Sequence, residues 1–276
     1  MNRIDATFSN LRTRGRKGLI PYLMAGFPDA ESTVPLMRTL ADAGADVIEL
    51  GIPFSDPMAD GPLIQQAGEA AIRAGIGLPQ VLEMAADFRR THPSVPLVLM
   101  GYANSVERYD ALRGGGSFSR DARHSGVDGV LIVDFPPEMS LEFTNELQKE
   151  HLHRISLAAP TSSPERISRL AAEAVGFTYA VAVKGVTGAG HLDVDAIRPW
   201  LHGLRQQIGL PLAVGFGIGS IDEAARIAES ADAVVIGSKL IALAENLSPE
   251  MAVENLGRFI SNVRAALDSI RSEPGS

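Results

Sequence analysis

Apolar residues fall into eight short, nearly continuous runs along the 276-residue chain. They lie at 18–26, 46–51, 95–101, 127–134, 154–160, 176–183, 210–217 and 232–238. Continuous hydrophobicity of this kind marks strands buried on both faces, as in a parallel sheet. Between the runs the period changes to that of amphipathic helices. Residues 30–43 follow Asp29, and residues 78–90 carry Val81, Met84, Ala85 and Phe88 at helical spacing. Ser163 before Pro164 predicts a helix start, Ser220 with Glu223 predicts a capping box, and Ser248 before Pro249 opens the last helix. That helix sets Val253, Leu256, Ile260, Val263, Leu267 and Ile270 along one stripe.

Eight strands alternating with helices over this length predict a single α/β domain over 1–276, a (β/α)8 TIM barrel rather than an open doubly wound sheet. No GxGxxG follows the first strand, and no long polar linker separates the units. Residues 105–125 are atypical. Gly114, Gly115 and Gly116 interrupt the segment where a helix belongs, each costing a helix interior about 1 kcal/mol, so a shortened or broken helix is expected. The tail at 272–276 is expected to fray.

Composition narrows the function classes. The net charge is −8, and no basic cluster runs along the sequence, which disfavours nucleic acid and anionic membranes. Cysteine is absent, which removes disulfides and thiolate metal sites. The six histidines show no metal-ligand spacing; His151 and His153, just before the fifth strand, read as surface residues. No apolar run approaches the roughly 20 residues of a membrane span, and the N-terminus has no secretory pattern, so a cytoplasmic location is expected.

In a barrel of this kind chemistry sits at the C-terminal ends of the strands. The second strand ends in "IELG" and runs into "IPFSDPMADGP". Side chains alternate, so Glu49 shares a face with Val47, opposite Ile48 and Leu50. Pointed into the barrel mouth, Glu49 would have a raised pKa and could carry a proton near neutral pH; the alternative is a member of an internal ion-pair network. Asp60 is by itself a turn residue before Gly61, and together with Glu49 a second, ionised carboxylate. Three glycine-rich loops end strands 6 to 8. Their Gly188, Gly217, Gly237 and Ser238 are candidate donors to a phosphate. Lys184 could form a Schiff base, although a solvated or phosphate-steering lysine is the better reading.

These residues carry a resemblance. "LIPYLMAGFPD", "IELGIPFSDPMADGPLIQQA", "LAAPTSSPERI", "GFTYAVAVKGVTGAG", "LAVGFGIGS" and "VVIGS", in that order, resemble the signature of the tryptophan synthase alpha subunit family. The resemblance implies a TIM barrel with extra N-terminal and loop helices. It implies a lyase of tryptophan biosynthesis that cleaves indole-3-glycerol phosphate by a retro-aldol reaction. By it, Glu49 matches the catalytic acid/base, and Asp60 the acid that stabilises charge on the indole nitrogen. Gly188, Gly217, Gly237 and Ser238 match the phosphate-binding positions. Tyr22, Tyr179 and Phe216 match the indole pocket, and Thr187 a loop that closes on substrate. Pro53, Asp56 and Asn104 match positions near a beta subunit. The resemblance implies no metal and no cofactor in this chain; pyridoxal phosphate belongs to the beta partner, in an α2β2 heterotetramer that channels indole. A stand-alone lyase and a Schiff-base aldolase using Lys184 are the alternatives. Phe177 stands where the family often has tyrosine, a mild change expected in the pocket. The segment 105–125 matches poorly, which bears on the partner contact near Asn104.

Overall fold

The computed structural model describes residues 1–135, 141–181, 194–215 and 217–270. Helix α1 (Arg3–Thr13) precedes β1 (Gly18–Met24), and α2 (Thr33–Asp42) leads to β2 (Ile48–Gly51). Two helices, α3 (Pro62–Arg73) and α4 (Leu78–Thr91), separate β2 from β3 (Leu97–Gly101). Then come α5 (Ala103–Arg113), α6 (Ser117–His124), β4 (Gly129–Ile132) and α7 (Leu141–Lys149). The fifth strand is in two pieces, β5 (His153–Arg154) and β6 (Ser156–Ala158), followed by α8 (Pro164–Glu173) and β7 (Thr178–Val181). The chain ends with α9 (Val194–Gln207), β8 (Leu212–Gly215), α10 (Ile221–Ala228), β9 (Ala233–Ile236), α11 (Ser238–Ala244) and α12 (Pro249–Asp268).

Every strand pair is parallel, in the order β5-β4-β3-β2-β1-β9-β8-β7-β6. The two ends of this order are consecutive pieces of one strand, divided only at Ile155. Its lower part pairs with β4 and its upper part with β7, so the ladder closes as a barrel of eight strand units. All eight predicted strands are present. Val47 joins the inner core with Ile20, Val98 and Val235, while Ile48 and Leu50 pack outward against the helix layer. That is the alternation expected around Glu49.

Helix α1 closes the N-terminal end of the barrel by placing Ile4, Phe8 and Leu11 beneath the inner core. Phe8 packs on Phe177, with ring centroids 5.4 Å apart. Phe177 therefore belongs to the barrel floor and does not shape the pocket: it lies two residues below Tyr179, about 6.6 Å of strand rise. His153 also departs from its surface reading. It lies within β5, and its Nε2 sits 2.9 Å from both carboxylate oxygens of Asp5, which ties α1 to the barrel.

The caps explain most helix starts. Ser163 and Ser248 accept from the backbone N–H of Arg166 (3.3 Å) and Met251 (3.4 Å). Ser220 accepts from Glu223 N–H, but the Glu223 carboxylate reaches Gly219 N–H rather than Ser220's own, a one-residue variant of the expected box. The helix expected from residue 30 begins at Thr33, because Asp29 closes a turn by accepting from Ser32 N–H and Oγ–H at 2.8 and 2.7 Å. The glycine run does break a helix. Gly114 and Gly116 take φ of 102° and 70°, which L side chains avoid. Asp110 then starts α6 by accepting from Gly116 N–H and Phe118 N–H.

Candidate active site

Glu49 sits at the C-terminal end of β2, beside Tyr22 of β1 and Val98 of β3. The residue is 2% exposed, and its Oε2 has no hydrogen-bond partner. Among the described residues no cation pairs with it. Burial, and then the negative charge of Asp60, push the Glu49 carboxyl up to about 8. At neutral pH the group is mostly protonated, in a place where it can reach into the mouth.

Asp60 arrives from the loop between β2 and α3. The loop is tied at several points. Asp60 N–H donates to Pro57 O (3.1 Å), and the Gln65 amide donates to Asp60 O (3.0 Å) and Pro57 O (3.3 Å). The Tyr102 hydroxyl donates to Asp60 Oδ2 at 3.1 Å and accepts from Ala59 N–H at 3.1 Å. The Tyr102 ring stacks on Phe54, with centroids 4.9 Å apart. Asp60 is thus held by a side chain from the end of β3 and is more than a turn residue. Burial raises its pKa, and the Tyr102 hydroxyl opposes the rise. Glu49 feels the charge of Asp60, whereas Asp60 is not raised by Glu49. The two carboxyls thus sit in different environments, one with an unpartnered oxygen and one bonded to the Tyr102 hydroxyl.

Two buried tyrosines wall the mouth. A Cβ on Gly51 would lie 2.1 Å from the Tyr22 hydroxyl, and one on Gly215 would lie 2.3 Å from that of Tyr179. Only glycine at those strand ends lets the two rings point upward beside Glu49. Burial raises the pKa of both phenols, with the charges of Asp60 and Glu49 adding to it, so both stay neutral hydrogen-bonding groups.

Gly217 follows β8 with φ of 78°. Gly237 follows β9 against the Tyr22 ring, and Ser238 opens α11. These positions are partly exposed at the same end of the barrel as Glu49. Pro53 is buried, whereas Asp56 and Asn104 are exposed on the rim. Lys184, Thr187, Gly188 and Phe216 lie outside the described residues, as does the tail at 272–276. Among the described residues, no cluster of three or more His, Asp and Glu is arranged to hold a metal ion.

Tyr102, whose hydroxyl holds Asp60, is absent from the residues that the sequence singles out. The rule that selected Glu49 would have found it, since it directly follows the last residue of β3.

The likeness to known proteins agrees with this geometry. The family described as Tryptophan synthase alpha chain matches residues 8–268. The chain is 54% identical to the tryptophan synthase alpha chain of Polaromonas sp. strain JS666 over 273 residues, covering 97% of this chain and 100% of that one. It is 52% identical to the alpha chain of Acidovorax sp. strain JS42, covering 98% and 100%. Among solved structures, tryptophan synthase subunit alpha from Legionella pneumophila strain Paris superposes with a TM-score of 0.88 at 40% identity, covering 98% of this chain and 100% of that one. A Mycobacterium tuberculosis tryptophan synthase chain gives 0.85 at 31%, covering 96% and 98%. With the match running through both carboxylate-bearing segments and nearly end to end, the chain belongs to the tryptophan synthase alpha chain family.

Proposed function

We propose that Glu49 and Asp60 are the acid–base machinery of the family's reaction in this chain. As a member of that family the protein is a lyase of tryptophan biosynthesis, and it cleaves indole-3-glycerol phosphate. The observation that carries the assignment is a buried carboxyl with an unpartnered oxygen, pushed up to about 8 beside the Asp60 carboxylate.

Protonated Glu49 gives its proton to indole C3. The ring becomes an electron-withdrawing iminium, and the negative Asp60 stabilises the positive charge at the indole nitrogen. The hydroxyl on the adjacent carbon then loses its proton to the deprotonated Glu49. Its electrons form the carbonyl of glyceraldehyde 3-phosphate, and the C–C bond pair returns to the ring as indole. Proton and electron pairs balance without a further reactant, so no cofactor is assigned to this chain. Gly217, Gly237, Ser238 and Gly188 bind the phosphate; Tyr22, Tyr179 and Phe216 flank the indole; Thr187 closes over it.

The family works with a beta subunit. The exposed Asp56 and Asn104 are assigned to that contact, with buried Pro53 fixing the loop path behind them. The assembly is an α2β2 heterotetramer in which the partner carries pyridoxal phosphate and receives the indole. A cytoplasmic location fits the absence, among the described residues, of any helix long and apolar enough to cross a membrane. The test is indole release from indole-3-glycerol phosphate by the purified chain, with and without a beta subunit, alongside the mass of the mixture. Release that rises on formation of a four-chain complex supports the assignment. No release in either state overturns it.

A further inference from the structure

A large cleft lies at the opposite end of the barrel from Glu49. Its volume is about 1030 Å³, at the upper end of the roughly 300–1,000 Å³ typical of small-molecule sites. Its walls come from the N-terminal ends of strands: the α1–β1 turn, Gly176 before β7, Leu210 and Pro211 before β8, and Asp232 before β9. The reaction at the mouth does not use it.

Its charge runs against that of the molecule, and against the expectation of no basic cluster: Arg12, Arg14, Arg16 and Lys17 fall within one short stretch of chain. The chain carries −8, yet this cleft is lined by six cations, Arg12, Arg14, Arg16, Lys17, Arg198 and Arg205, and by three carboxylates. Each carboxylate is already engaged. Asp5 is held by His153, Glu229 by Arg198, and Asp232 by Arg205. Arg16 is satisfied from outside the cleft by Asp268 and Asp46. The surplus is Arg12, Arg14 and Lys17. Neither arginine makes an ion pair among the described residues, and the Lys17 ammonium donates to a backbone carbonyl, Ala231 O, at 2.9 Å. Burial lowers the Lys17 pKa, the Asp232 carboxylate opposes that fall, and the Arg205 charge adds to it.

We propose that this cleft binds a small phosphorylated anion of the pyrophosphate class, gripped by Arg12, Arg14 and Lys17. Guanidinium forks suit phosphate oxygens, and the ligand would bridge the end of α1 to the strand bases it covers. Arg12 lies in the last turn of α1, where a cation also favours the helix dipole. That role would contribute stability but no ligand response, so the two separate experimentally.

The experiment is thermal unfolding of the full chain titrated with inorganic pyrophosphate, for wild type and the Arg12→Gln/Arg14→Gln variant, with indole release measured for both. Both arginines are exposed, so the variant keeps its core. The expected result is a saturable rise in Tm for wild type and a more than tenfold weaker apparent affinity in the variant, with indole release unchanged. An equal response in the two proteins overturns the proposal, because the anion then binds elsewhere, the barrel mouth included. So does an absent response, or a response to polyglutamate alone, which would assign the face to an acidic protein.

Discussion

Two buried carboxylates, one at each end of the barrel, have opposite fates. Asp128, just before β4 at the closed end, is 1% exposed and fully answered. It takes Arg3 at 2.7 Å, Arg89 at 3.0 Å and Leu97 N–H at 2.9 Å. Glu49, at the open end, is 2% exposed and has an oxygen with no partner. Burial is nearly the same, and the surroundings differ. The paired buried acid ties α1, α4 and β3 together. An unpaired one keeps its proton near neutral pH and can hand it over. The difference between structure and chemistry in this barrel is the difference between supplying and withholding a cation.

That contrast can be broken from either side. The largest effect is expected from Glu49→Gln, which keeps the shape and removes the proton: indole release should fall by about 10²–10⁴-fold. The same variant should be more stable than wild type in mildly alkaline buffer. The folded-state pKa of about 8 lies above the ordinary 4.5, so the folded chain holds a proton that the unfolded chain releases. Wild-type stability therefore falls as pH rises from about 4.5 to about 8, while glutamine does not titrate. Denaturant unfolding should show the variant gaining about 3–5 kcal/mol relative to wild type across that window. Asp128→Asn should do the reverse. It strands Arg89 in the interior and should cost about 3 kcal/mol in urea unfolding, with indole release per folded molecule nearly unchanged. The smallest change is expected from Tyr102→Phe. The ring still stacks on Phe54, but Asp60 loses a donor and Ala59 N–H an acceptor. A cost of about 1–1.5 kcal/mol, read as a roughly tenfold lower kcat with an intact melting transition, would sharpen the role of Asp60.

The barrel was legible because its signals are local. Eight apolar runs and three Ser-Pro or Ser-x-x-Glu helix starts fix strands and caps within a few residues of chain. Glu49 was legible from strand parity alone, since Val47 and Glu49 must share a face. What escaped depends on contacts far apart in sequence. Tyr102 matters because a loop 42 residues earlier brings Asp60 to its hydroxyl. His153 lies at the surface by spacing and meets Asp5 only because α1 folds under the barrel, 148 residues away. Phe177 went to the pocket by homology of position, yet it sits one pleat repeat too low and meets Phe8 instead. The break at Gly114–Gly116 was foreseen from backbone cost, but not the second helix that Asp110 restarts across it. The role of each site residue came from family resemblance, since parity and burial reach only an acid at a barrel mouth.

The proposed chemistry requires a protonated Glu49, and a carbon-13 NMR titration of its side-chain carboxyl in the folded chain measures that directly. A midpoint near 8 is predicted, well above the ordinary 4.5. A midpoint close to 4.5 would mean that the carboxyl is solvated or paired, and would contradict Glu49 as the proton carrier.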